Sequence, residues 1–138
     1  GAAEVLLRQN LDLSKIRPLD RARWAGAVDN LGGDVLAWIA STMEQGGTIA
    51  SIGLAASMSL NTTVAPFILR GVSLLGVDSG YIREPYRSGV WQRLASDLRP
   101  PHLSAMSRRI PFDELPAIFG EYIAGRAKGR VVVEVAGG

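Results

Sequence analysis

Hydrophobic positions along the chain gather into short runs that end on small or polar residues, with stretches of helical spacing between them. Gly26-Ala27-Val28-Asp29-Asn30-Leu31-Gly32-Gly33 is the first such run and Gly47-Thr48-Ile49-Ala50-Ser51-Ile52-Gly53-Leu54 the second. Ser73-Leu74-Leu75-Gly76-Val77-Asp78-Ser79 is the third. A near-continuous apolar run with no polar alternation reads as a strand buried on both faces, the state of a strand in a parallel sheet. Ligands of such sheets sit outside the carboxyl ends of the strands, so the polar residues closing each run are where a crevice is expected.

The segments between the runs predict helices. Val35, Leu36, Ile39, Ala40 and Met43 fall at helical spacing behind Asp34, a candidate N-cap, and Gly46-Gly47 would end that helix. After the polar turn Asn61-Thr62-Thr63, Pro66 to Arg70 makes about one helical turn by the same spacing. Val90, Trp91, Leu94, Ala95 and Leu98 predict a second amphipathic helix stopped by Pro100-Pro101. Asp113 would start a third, with Leu115, Ile118, Phe119, Tyr122 and Ile123 on its buried side and Gly125 as its exit. Glu4 to Arg8 reads as a short strand, Leu11 to Arg23 as a charged connection broken by Pro18, and Val131 to Val135 as the last strand. Strands separated by helices indicate α/β architecture. No Gly-x-Gly-x-x-Gly turn precedes Gly26, so the pattern is that of the later half of a doubly wound parallel sheet, lacking the first βαβ unit. The strand at Ala27 to Leu31 would then keep an unpaired inner edge.

Composition narrows the chemistry. The chain has 138 residues, 47% of them hydrophobic, enough for a core of ordinary size. A formal charge of +2 on scattered arginines gives no footprint for nucleic acid. With no cysteine and one histidine, His102, neither a disulfide framework nor a thiolate or imidazole metal site can form, and no metal ligands are assigned. No apolar run reaches the length of a membrane span, and Gly1-Ala2-Ala3-Glu4 lacks the basic start of a secretory signal, so a cytoplasmic location without membrane attachment is expected. A start without methionine, almost directly on a strand-like segment, points to a piece of a longer chain.

Few residues carry chemistry by type and position. Asp29 and Asn30, at a strand end, can reach a ribose or nicotinamide; they are equally ordinary turn residues. Gly32-Gly33 permits close approach of a phosphate or simply makes a tight strand-to-helix turn. Ser51 and Ser79 lie at strand ends without the Ser-x-x-Lys or Gly-x-Ser-x-Gly surroundings of a serine nucleophile. Trp24, Trp38 and Trp91 read as packing residues, and Tyr122 as core.

Trp24-Ala25-Gly26-Ala27-Val28-Asp29-Asn30-Leu31-Gly32-Gly33, Gly53-Leu54-Ala55, Thr62-Thr63-Val64-Ala65-Pro66-Phe67-Ile68-Leu69-Arg70-Gly71-Val72 and Leu75-Gly76-Val77-Asp78-Ser79 resemble the acryloyl-CoA reductase type of zinc-free quinone oxidoreductase, in the medium-chain dehydrogenase/reductase superfamily. Trp91-Gln92-Arg93-Leu94 and Gly129-Arg130-Val131-Val132-Val133 extend the likeness to the end of the chain. The resemblance implies a Rossmann-type domain and NADPH as cofactor, with hydride transfer to the activated double bond of an acryloyl-CoA-like thioester or a quinone. It implies cofactor contacts at Arg8, Leu54, Ile68 and Ser79, and one near Gly125, where relatives can carry a side-chain amide and glycine leaves only backbone. No catalytic residue is assigned. It also implies a partial nucleotide-binding domain over residues 1–109, a segment 110–138 that returns to a substrate domain, and a homodimer paired through strand 73–79. The intact protein is therefore expected to be an enzyme, with these 138 residues inactive alone; the rival is a non-catalytic nucleotide-binding or interaction module.

Overall fold

A computed structural model describes residues 2–135, in two compact units, Gly1–Ile82 and Arg83–Gly138. In the first unit, β1 (Trp24–Asp29), β2 (Met43–Ser51) and β3 (Ser73–Gly76) form one parallel sheet in the order β1-β2-β3. The helices α1 (Gly33–Thr42) and α2 (Ala65–Arg70) connect them. The three consecutive parallel strands expected from the apolar runs are present, and β1 is an edge strand of this sheet.

Register decides which side chains meet. Ala27, Ile49 and Leu74 lie in one row across the sheet and pack with Leu36, Ala40, Met43, Val72 and Phe67 from the helix side, forming the core. The neighbouring row, Val28, Ala50 and Leu75, points to the opposite face, where Val28 is 72% exposed. Trp24 and Trp38 meet edge to face with ring centroids 6.4 Å apart, the packing role expected of them, and the buried Trp24 indole N–H has no acceptor among the described residues.

Local chemistry moves several boundaries. α1 starts at Gly33 behind Gly32, not behind Asp34; Asp34 sits in the first turn and makes no capping bond. It ends at Thr42, before Gly46-Gly47, because the Ser41 and Thr42 hydroxyls donate to the Trp38 carbonyl and the amides of Asp20 and Arg23 donate to the Ser41 and Thr42 carbonyls. The two glycines fall instead inside β2, in an irregular stretch where the register jumps between the Trp24–Met43 and Gly26–Thr48 pairs. Glu4 to Arg8 is not a strand: the backbone at Leu7 is extended but joins no ladder, and Arg8–Asn10 form a 3-10 turn.

The second unit holds α3 (Tyr86–Ala95), β4 (Ser107–Pro111), α4 (Leu115–Ile123) and β5 (Arg130–Glu134), with β4 and β5 paired in parallel. The division expected between residues 109 and 110 lies within β4. α3 forms where periodicity placed a helix but ends at Ala95, before Leu98 and the prolines, and none of its residues is buried; Trp91 is exposed, not packed. Asp113 belongs to a 3-10 turn, Phe112–Glu114, ahead of α4. Of the α4 side chains expected in a core, Ile118 is buried, whereas Tyr122 is half exposed and Ile123 is 87% exposed. Glu84 accepts from the amide and hydroxyl of Ser88 in the first turn of α3, which holds its carboxyl below the usual glutamate value.

Candidate functional site at the carboxyl edge of the sheet

All three strands of the parallel sheet end at the same edge, at Asp29, Ser51 and Gly76. Asp29 organises that edge. Only 2% exposed, it accepts from the Leu31 amide at 3.1 Å and from the Gly32 amide at 3.1 and 3.2 Å, while Ser51 Oγ donates to its Oδ2 at 3.3 Å. Its oxygens are spent inside the protein, so Asp29 serves the turn and does not reach a ribose.

The turn then carries the chain after β2. The amides of Ala55 and Ala56 donate to the carbonyls of Asn30 and Leu31, Ser57 donates to Leu31, and the Gly33 amide donates to Ser59. Two loops are thus laced together by backbone bonds. Gly32 turns with φ +68°, a conformation that side chains disfavour, and any Cβ there would run into the Ser57 carbonyl. Gly53 crosses so close to Asn30 that a Cβ would stand 2.8 Å from its carbonyl oxygen.

Between the ends of β2 and β3 runs an open groove of about 520 Å³, lined by Ser51, Ile52, Gly53, Leu54, Gly76, Val77 and Asp78. The Val77 amide donates to Ser51, closing the groove floor, and Asp78 holds the following turn by accepting from the amides of Gly80 and Tyr81. Leu54, 60% exposed, offers an apolar surface in it. Ser79 follows the groove directly along the chain, without being among its lining residues. Arg8 is exposed in its 3-10 turn with no ion-pair partner among the described residues, and Ile68, 71% exposed, lies on α2. Gly125, φ +65°, ends α4 in the second unit, as expected of a helix exit. The groove therefore gathers Leu54 alone of the five expected cofactor contacts, together with Ser51, already singled out at a strand end, and adds Val77 and Asp78, which end-of-strand position could have flagged.

No family model matches the chain. Over 98% of its length it is 41% identical to the acrylyl-CoA reductase AcuI of Ruegeria pomeroyi and 40% identical to the putative quinone oxidoreductase YhfP of Bacillus subtilis. The structure of Escherichia coli YhdH with bound NADPH superposes with a TM-score of 0.85 at 40% identity, over 99% of this chain and 42% of that one. This chain is similar to part of each of these oxidoreductases. It spans about two fifths of the length of the curated relatives, 41% in both cases. The α/β class expected from the strand runs fits this superposition, and the resemblance to the acryloyl-CoA reductase and quinone oxidoreductase group holds. No helix among the described residues is long and apolar enough to cross a membrane.

Proposed function

We propose that the chain is the later part of the cofactor domain of an NADPH-dependent reductase that acts on activated carbon–carbon double bonds, in an acryloyl-CoA-like thioester or a quinone, and works in the cytoplasm. The observation that carries this reading is the groove at the carboxyl ends of β2 and β3, where a parallel sheet binds its ligand, in a chain similar to part of proteins crystallised with nicotinamide dinucleotides. The mixed lining suits such a ligand. Leu54, Ile52 and Val77 give apolar contact for a nicotinamide ring, while Ser51 and backbone groups of the 76–78 segment give polar contact. Leu54 would meet the cofactor in this groove, with Arg8, Ile68 and Ser79 as further contacts.

NADPH, when bound, supplies the hydride. The share of this chain is binding and orientation, and no proton donor is assigned among its side chains. The test is oxidation of NADPH by the full-length protein, followed by the loss of reduced-nicotinamide absorbance with acryloyl-CoA and with a quinone. Turnover with either supports the reading; tight binding of NADPH with no turnover would favour a non-catalytic nucleotide-binding module.

The same protein is proposed to form a two-fold dimer along β3. Because the Val77 amide donates to Ser51 of β2, strand alternation turns the amides of Leu74 and Gly76 outward as a free edge. Leu75 on this strand is 54% exposed, an apolar surface that sheet edges exposed to water avoid. A two-fold contact brings each residue near its own copy, so Leu75→Arg would set like charges against each other. The dimer of the full-length protein is expected to dissociate at least about tenfold more readily in sedimentation equilibrium; an unchanged dimer would place the interface elsewhere.

A further inference from the structure

Asp29, Ser51 and Gly76 occupy one register row of the sheet, at its carboxyl edge. Residues of one row point to the same face, so the row reads carboxylate, hydroxyl, vacancy. A Cβ built on Gly76 meets no atom within 4 Å, and both Ser51 and Gly76 line the groove. The hydroxyl thus has the carboxylate on one side and open space on the other.

The direction of its proton follows. A carboxylate offers only acceptors, whereas a serine hydroxyl has one proton and two lone pairs. Toward Asp29 Oδ2, 3.3 Å away, Ser51 can only be the donor. Asp29 cannot turn away, because the Leu31 and Gly32 amides hold it and it is buried without a cation partner among the described residues. Those two amides already satisfy what a tight turn needs; the link to Ser51, 22 residues away, is additional.

We propose that Asp29 and Ser51 form a polarised pair that presents the Ser51 oxygen, beside the vacancy at Gly76, as a hydrogen-bond acceptor for a donor group of a bound dinucleotide, an amide NH₂ or a ribose hydroxyl. The proposal rests on the reading of this groove as a nicotinamide-dinucleotide site. Ser51 is then a specificity-determining contact and Asp29 a positioning residue acting through it.

The test is titration of the full-length protein, wild type and Ser51→Ala, with NADPH and with its 3-acetylpyridine analogue, in which a methyl replaces the amide NH₂. Ser51→Ala is expected to bind NADPH about tenfold more weakly, the loss of one hydrogen bond of ordinary strength. If the donor is the carboxamide, the analogue binds the wild type weakly and is indifferent to Ser51→Ala; if it is a ribose hydroxyl, Ser51→Ala weakens both ligands alike. Either pattern supports the pair. A folded Ser51→Ala protein that binds NADPH as tightly as wild type overturns it. Gly76→Val provides a second route, since the space there is open in the fold but is the space the ligand would take: binding should fall by at least about tenfold. Should Ser51→Ala fail to fold, undiminished binding by Gly76→Val overturns the pair by itself. A wild-type protein that binds neither dinucleotide overturns the functional reading, and the role of the pair with it.

Discussion

Replacing Arg70 with Met is expected to cost about 3 kcal/mol of unfolding free energy, from charged hydrogen bonds worth roughly 1.5–3 kcal/mol each and not fully additive. Arg70 closes α2, and its guanidinium donates to the carbonyls of Ser41 and Met43, both at 2.9 Å, and of Asp20. Three segments are held by one planar fork: the end of α1, the start of β2 and the connection before β1. Two of those carbonyls belong to the end of a helix or just past it, where acceptors lack intrahelical partners and cationic donors are favoured. Methionine keeps much of the apolar stem and removes the donors, which isolates the polar contribution. Lysine is expected to recover only part of the loss, because an ammonium cannot reproduce the fork. Urea unfolding of the three proteins measures this; a Met variant within about 0.5 kcal/mol of wild type, the range of a neutral surface change, would show that the clamp carries no weight.

Gly53→Ala is expected to weaken NADPH binding by the full-length protein by about tenfold to a hundredfold, the scale of a displacement near 1 Å at a positioned site. The new Cβ would meet three backbone atoms of Asn30, at 2.8, 3.1 and 3.2 Å, and backbone cannot swing aside as a side-chain end can. The crossing must open, and with it the bonds from Ala55 to Asn30 and from Ala56 to Leu31 that lace the two loops. Leu54, the next residue, moves with the crossing. Stability should fall by about 1–3 kcal/mol, as in other overpacked sites. Fluorescence titration with NADPH checks the binding loss; an unchanged affinity would mean that the laced loops do not shape the groove.

Much of the sheet was legible because its strands are apolar runs bounded by Gly, Asp, Asn and Ser, and a run such as Gly47 to Leu54 has few alternatives. β4 was not legible: Ser107-Arg108-Arg109-Ile110-Pro111 has one buried side chain, Ile110, between arginines and a proline. Its pairing with β5 is a long-range fact that five residues cannot announce. Tyr122 and Ile123 show the converse limit, since helical spacing predicts a face that can be buried, not one that is. At the site, the turn chemistry of Asp29 could be read from its type and place, but its bond to Ser51 depends on strand register. The same holds for Gly53, whose necessity is the approach of Asn30, and for Arg70, whose acceptors lie 27, 29 and 50 residues away. The expectation of a cofactor contact at Leu54 rests on resemblance alone, because nothing in an exposed leucine beside a glycine marks it as one.

Hydrogen–deuterium exchange of the full-length protein with and without NADPH tests the central claim, that the carboxyl edge of this sheet is a nicotinamide-dinucleotide site, most directly. The predicted result is cofactor-dependent protection concentrated in peptides covering residues 51–57 and 76–81, with β4 and β5 unchanged. Binding of NADPH that leaves both of those segments unprotected would contradict the account.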